Sequence, residues 1–211
     1  MLLIDKPVGI TSFDVIRHLK KSRPREKFGH AGTLDPRASG LLLILENTET
    51  KHAQEYIGLS KTYEVEALIG ERRDTGDMEG VILEESPVTT LSEPLVREVL
   101  SSLTGALKLP VPAYSAVKRG GVPLYKKARR GEDVTSPIKT MEIRSVTYTA
   151  MRHENDRVII SFTADVGSGT YIRSLVEELG RHLSLPATTY SLRRTRIGDF
   201  SIDNAQKLTK M

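Results

Sequence analysis

Asp35 lies within FGHAGTLDPRASG, residues 28–40, a stretch with three glycines and one proline. A rigidly held carboxylate can act as nucleophile or general base without any cofactor. Pro36 donates no backbone hydrogen bond and biases Asp35 towards an extended backbone, so the flanks can hold the side chain in place. Composition alone leaves a plainer alternative, a turn residue of the Asx type. Tyr171 and Arg173 follow the loop VGSGT and open an amphipathic segment. The planar fork of an arginine suits a carboxylate partner, but spacing alone does not assign Arg173 to Asp35, and a solvent-facing helix residue would look the same. Tyr63 begins an alternating segment and Tyr114 sits in a proline-rich loop. Either ring could stack on a nucleobase, although aromatics at strand starts are more often core.

The composition narrows the chemistry. Cysteine is absent, which excludes disulfides, thiolate nucleophiles and cysteine-based zinc sites. The five histidines, His18, His30, His52, His153 and His182, show no helical ligand spacing. Neither a metal nor a cofactor is expected. The net charge of +4 is modest, but its distribution is uneven. Arg17, Lys20, Lys21, Arg23, Arg25 and Lys27 crowd into eleven residues. Lys118, Arg119, Lys126, Lys127, Arg129 and Arg130 form a second cluster, and Arg193, Arg194 and Arg196 a third. In a chain with 27 acidic residues, three such clusters point to a polyanion footprint rather than to solvated faces alone. No apolar run is long enough to span a membrane, and MLLIDKPVGI lacks the basic start of a signal peptide. A cytoplasmic location is expected.

The elements that must position these residues can be read from periodicity. Residues 1–5 read as a strand and Lys6-Pro7-Val8-Gly9 as a turn. Thr11 caps a helix with Asp14 at its third position, and Phe13, Val15, Ile16 and Leu19 supply its apolar face. Residues 28–40 fit neither period and read as one loop, anchored by the buried strand Leu41–Leu45. Residues 50–59 suggest a short helix, and residues 62–69 a strand with one wet face. A polar loop, ERRDTGDMEG, separates that strand from VILEE. Leu95, Val96, Val99, Leu100 and Leu103 mark a helix over 93–104, closed by Gly105. The run LPVPAYSAVKRGGVP has too much proline and glycine for a regular element, and residues 124–130 give one or two helical turns. Strands follow at 142–149 and 157–164. Residues 171–183 form the clearest helix, with Glu177, Glu178, Arg181 and His182 on its outer face. The tail reads as a strand, a turn and a last helical turn. Together these elements predict an α+β protein with a mixed sheet.

Four segments then carry a family resemblance: GHAGTLDPRASGLL, SKTYEVEALIGERRDTGDMEG, VPAYSAVKRGGVPLYKKARRG and GSGTYIRSLVEELG. In this order they resemble the bacterial tRNA pseudouridine synthase B family, which is related to the box H/ACA guide-RNA pseudouridine synthases. The wording of TGDMEG and AYSAVKRGGVPLYKKAR is closer to the stand-alone bacterial enzymes. The resemblance implies the pseudouridine synthase fold, a central, mostly antiparallel mixed sheet flanked by helices and RNA-binding loops. It implies isomerisation of the T-loop uridine of tRNA, position 55 in standard tRNA numbering. The partner is the tRNA T stem-loop, with no membrane and no protein partner required, and a monomer is expected. Asp35 falls at the family's catalytic aspartate, Arg173 at the arginine paired with it, and Tyr63 at the tyrosine that stacks on the flipped base. His30 matches a histidine that helps open the T-loop. Tyr171 lies in the arginine's motif, and Lys6 and Pro7 match the N-terminal strand–turn signature. Lys118, Lys126, Arg129 and Tyr114 complete the expected substrate-binding set. A single catalytic domain, 1–211, is expected without the small β-rich C-terminal domain usual in bacterial relatives. Two alternatives remain at this level. One is a non-catalytic tRNA-binding or tRNA-folding module on the same scaffold. The other is a glycoside hydrolase with paired acids, for which Asp74 and Asp77 are the other marked loop carboxylates.

Overall fold

The structure is a computed structural model, and it describes residues 1–208. The chain opens with β1 (Leu2–Lys6) and a turn in which Gly9 takes a φ of +94°, a left-handed value open to glycine. Helix α1 (Ser12–Ser22) starts on a capping box: the Thr11 hydroxyl accepts from the Asp14 amide, and the Asp14 carboxylate accepts from the Thr11 amide. Strands β2 (Phe28–Ala31) and β3 (Ser39–Glu46) then pair antiparallel. The stretch 28–40 is therefore not one loop. Both ends are strand, and the irregular part is residues 32–38. The glycine content masked this, because Gly29 and Gly40 both lie inside strands, and Gly40 is there for close packing. At Gly40, with φ of +105°, an added Cβ would lie 2.2 Å from the Arg194 carbonyl oxygen.

A 3₁₀ turn (Asn47–His52) and α2 (Ala53–Ile57) lead into β4 (Lys61–Ile69), the alternating strand expected from the sequence. The polar loop after it is the tip of a hairpin, β5 (Glu71–Arg73) with β6 (Ile82–Glu85). Helix α3 (Glu93–Ser102) runs into β7 (Gly105–Pro110), a strand not expected from the sequence, where Gly105 reads only as a helix stop. A two-residue hairpin, β8 (Lys118–Arg119) with β9 (Val122–Pro123), precedes α4 (Leu124–Ala128). The long strand β10 (Ile138–Glu154) and β11 (Arg157–Val166) follow, then α5 (Ile172–Leu183), β12 (Ala187–Ile197), β13 (Phe200–Ser201) and β14 (Gln206–Lys207).

One ten-stranded sheet organises the molecule, in the order β14-β1-β3-β12-β4-β11-β10-β7, with β2 on β3 and β13 on β12. The pairs β1–β14 and β3–β12 are parallel and the others antiparallel, so the protein is α+β with a mixed, mostly antiparallel sheet. Its apolar core has three parts. The largest joins Val65, Ala67 and Ile69 of β4, Val158, Ile160 and Phe162 of β11, and the inner faces of α3 and α5. The other two lie on opposite sides of β3. Leu42 and Ile44 pack on Val15 and Ile16 of α1, while Leu41, Leu43 and Leu45 pack on Ile197. A strand covered on both faces needs an unbroken apolar run, and each of these leucines contributes roughly 2 kcal/mol by burial. Two side chains assigned to helix cores from periodicity are instead exposed: Phe13 at 59% and Leu95 at 44%. Each lies at the edge of its helix's apolar stripe. No helix among the described residues is long and apolar enough to cross a membrane.

Candidate active site

Residues 32–38 lie over the sheet with both neighbours of Asp35 pinned. The Ser12 hydroxyl, 1% exposed, donates to the Leu34 carbonyl at 3.2 Å and accepts from the Leu34 amide at 2.9 Å. On the other side the Gly9 amide donates to the Pro36 carbonyl at 2.8 Å. The Leu34 and Ala38 side chains are buried in the main core. The backbone of Asp35 is thus held at both sides by α1 and its turn, and its side chain stays 40% exposed.

Arg173 meets that side chain. One guanidinium nitrogen lies 3.0 Å from one Asp35 carboxylate oxygen. The residue is 5% exposed, which overturns the surface-helix alternative. Contact with the carboxylate is through a single nitrogen rather than the whole fork. The remaining capacity goes to backbone: Nη1 donates to the Thr75 carbonyl at 2.7 Å and Nη2 to the Tyr114 carbonyl at 3.1 Å. Arg173 therefore ties three loops together at the start of α5. The cleft beside it is lined by Asp35, Arg37, Asp77, Arg173, Thr189 and Leu192.

The loop at 74–80 reaches this cleft through turn chemistry. The Asp77 carboxylate accepts from the Thr75 hydroxyl at 2.7 Å and the Glu79 amide at 3.0 Å, and the Gly76 carbonyl accepts from the Thr189 amide at 2.9 Å. Gly76, at φ +72°, packs directly on α5. A Cβ there would stand 3.3 Å from both Arg173 Cβ and the Glu177 carboxylate. Glu177, expected on the outer face, is largely enclosed, and burial raises its pKa while Arg72 and Arg173 oppose the shift. The Thr-Gly-Asp wording was the only sequence signal for this loop. Ser12 and Thr189 had none. We predict that Gly76→Ala lowers single-turnover rate by about 10–100-fold by pushing Thr75 off Arg173, with a stability loss of about 1 kcal/mol. Parental turnover in a folded Ala variant would contradict this arrangement.

The other expected residues fall in three groups. Tyr63 stands on β4, 8% exposed, in the same core cluster as Leu34 and Ala38, and does not line the cleft beside Asp35. Tyr171 is half-buried at the start of α5, where burial raises its phenol pKa. The Tyr114 hydroxyl donates to Asp74 at 3.0 Å, which fixes its ring. Lys118, Lys126 and Arg129 are exposed on the segment around α4. Lys6, by contrast, has no exposed surface: its ammonium donates to the Pro7 and Ile10 carbonyls, and burial brings its pKa down to about 8. It stabilises the turn that carries Gly9 and leads into Ser12. His30 is half-buried on β2, with Nδ1 unpartnered; burial and then Arg194 push its pKa down, leaving the ring neutral at pH 7.

The third basic cluster is not a footprint. Arg194 is 1% exposed and donates to the Leu41 and Gly32 carbonyls, which fixes the near end of the Asp35 loop. Arg193 contacts both carboxylate oxygens of Asp5. Only Arg196 of the three is exposed. Alternation turns Arg194 inwards relative to Arg193, and a register shift between Arg194 and Arg196 frees Arg196 from that inward face; charge counting cannot see that.

Residues 18–172 match the sequence model of the TruB family pseudouridylate synthases (N-terminal domain). The chain belongs to this family. Among its TruB relatives, the tRNA pseudouridine synthase B of Bacillus licheniformis is 40% identical over 205 residues, covering 96% of this chain and 66% of that protein. The protein of the same name from Xanthomonas campestris is 39% identical, over 95% of this chain and 64% of the relative. That from Bordetella avium is 37% identical, over 99% and 84%. The chain thus spans just under two thirds of the first two TruB relatives. A chain in a crystal structure of a Cbf5–Nop10–Gar1 complex superposes with a TM-score of 0.73 at 27% identity, over 98% of this chain and 51% of that one.

Proposed function

We propose that this chain isomerises uridine to pseudouridine in the T-loop of tRNA, with Asp35 as the reacting carboxylate. The observation that carries the reading is the Asp35–Arg173 contact at 3.0 Å, exposed to a cleft in a chain of the TruB family. The reaction breaks the N1–C1′ glycosidic bond and forms a C5–C1′ bond. The C5 proton leaves, N1 gains one, and no electrons are exchanged. A stacked uridine must leave its helix for a carboxylate to reach C1′. Asp35 then either attacks the sugar or removes a proton from it, and both routes need an anchored carboxylate with one open side. Arg173 orients it. In this reading Tyr63 supplies the ring against which the extruded base stacks, and His30 is the group that helps open the T-loop.

Loss of the C5 hydrogen gives a direct test. Transfer RNA carrying tritium at uridine C5 should release one equivalent of tritium per tRNA when incubated with this protein. No release above a protein-free control would refute the reading.

RNA binding should be electrostatic. The log of the affinity for tRNA is predicted to fall linearly with log salt. Neutralising Lys118, Lys126, Arg129 and Arg130 together should flatten that slope by roughly 0.7–0.9 for each phosphate that these side chains neutralise in the parent. All four are exposed. A slope equal to the parent's would mean that the segment around α4 does not touch the RNA.

A further inference from the structure

Helix α1 carries a second recognition element that the chemistry above does not use. Its buried face is Ser12, Val15 and Ile16. Phe13, Arg17, Lys20 and Lys21 follow at spacings of four, seven and eight, so they share one flank, and all four are exposed. The Arg17 guanidinium carbon lies 5.6 Å from the Phe13 ring centroid. A single exposed phenylalanine means little. This one is set apart by its neighbours and its place. Three cations line up behind it over ~12 Å of helix. The helix start bearing it is the segment bonded to Leu34 and Pro36 on either side of Asp35. The acid next to it in the chain, Asp14, is engaged by the Thr11 cap and by Arg17.

An aromatic ring followed by a track of cations is the arrangement that binds unpaired nucleotides, with bases on the ring and phosphates on the charges. We propose that this flank of α1 is a nucleotide-binding face, on which Phe13 stacks an unpaired base of the substrate RNA while Lys20 and Lys21 take its phosphates and Arg17, ion-paired with Asp14, stays beside the ring. The inference rests on the RNA-substrate reading above. It adds a binding surface outside the cleft, through which the RNA strand leaves the reaction centre along α1.

The chain contains no tryptophan, so Phe13→Trp introduces a single indole at an exposed position. Titration with tRNA should quench its emission, saturating at the affinity measured independently by filter binding. Phe13→Ala should bind tRNA about tenfold more weakly, a difference of roughly 1.4 kcal/mol, with kcat at saturating tRNA within twofold of the parent. Heparin, a polyanion without bases, should leave the indole emission unchanged. Three results would overturn the proposal: unaltered emission at saturating tRNA, equal quenching by heparin, or parental affinity in the Ala variant. Emission that shifts with protein concentration alone would assign the ring to association between copies and overturn it too. Tritium release by the parent is read separately, so failure of the isomerase reading is distinguishable from failure of this one.

Discussion

Asp35→Asn should abolish pseudouridine formation while tRNA binding stays within about threefold of the parent. A neutral amide can neither attack C1′ nor accept a proton from the sugar. The loss should be at least about 10⁴-fold in single-turnover rate, equivalent to roughly 5.4 kcal/mol of barrier. The fold should survive. Asp35 is 40% exposed on its side chain, so the substitution strands no buried carboxylate. Its backbone is held through Leu34 and Pro36, whose hydrogen bonds do not involve the altered group. Arg173 keeps its two carbonyl partners and gains the amide oxygen as a neutral acceptor. Both quantities should come from one preparation, with tritium release for turnover and filter binding for affinity. Appreciable turnover by the Asn variant would remove Asp35 from the chemistry. Loss of binding together with turnover would show that the carboxylate organises the RNA site rather than reacting.

Arg173 should show a different signature, in which activity and stability fall together. Arg173→Ala leaves the Thr75 and Tyr114 carbonyls without their donor, at about 1–3 kcal/mol for each acceptor left buried and unpaired. A stability loss of roughly 2–4 kcal/mol is expected by urea denaturation. Turnover should drop about 10²–10³-fold, because Asp35 loses its paired cation and the 74–80 loop loses its tie to α5. Arg173→Lys is the informative variant. An ammonium can restore the charge beside Asp35, but it cannot reach three acceptors spread over a planar fork. It should recover less than a tenth of parental turnover and only part of the stability. Parental kinetics in the Lys variant would show that charge alone suffices and that the three-loop tie is dispensable.

Periodicity and residue type determined much of this protein. The capped helix at 12–22, the alternating strand at 61–69, the buried run Leu41–Leu45 and the amphipathic helix at 172–183 are local patterns, because a helix or strand must repeat its apolar face at a fixed interval. Asp35 stood out by residue type, as a carboxylate beside proline in a glycine-rich stretch. The family resemblance rested on four such stretches in order. What stayed hidden depends on residues far apart in the chain. Phe28–Ala31 is a strand because it pairs with residues 43–46 of β3, although its composition reads as loop. Arg194 is structural because Gly40 lets β12 approach β3, while its neighbour Arg196 faces solvent. The Asp35–Arg173 contact joins residues separated by 138 positions, and the Thr75 and Tyr114 carbonyls that complete it belong to two further loops. Pairing of this kind is set by how strands order themselves in the sheet and by which backbone groups are left without partners when it closes. Burial likewise reassigned Lys6 from a substrate-binding residue to a turn support. A charge is visible in the sequence, but the side of the sheet it faces is decided only when the sheet has formed.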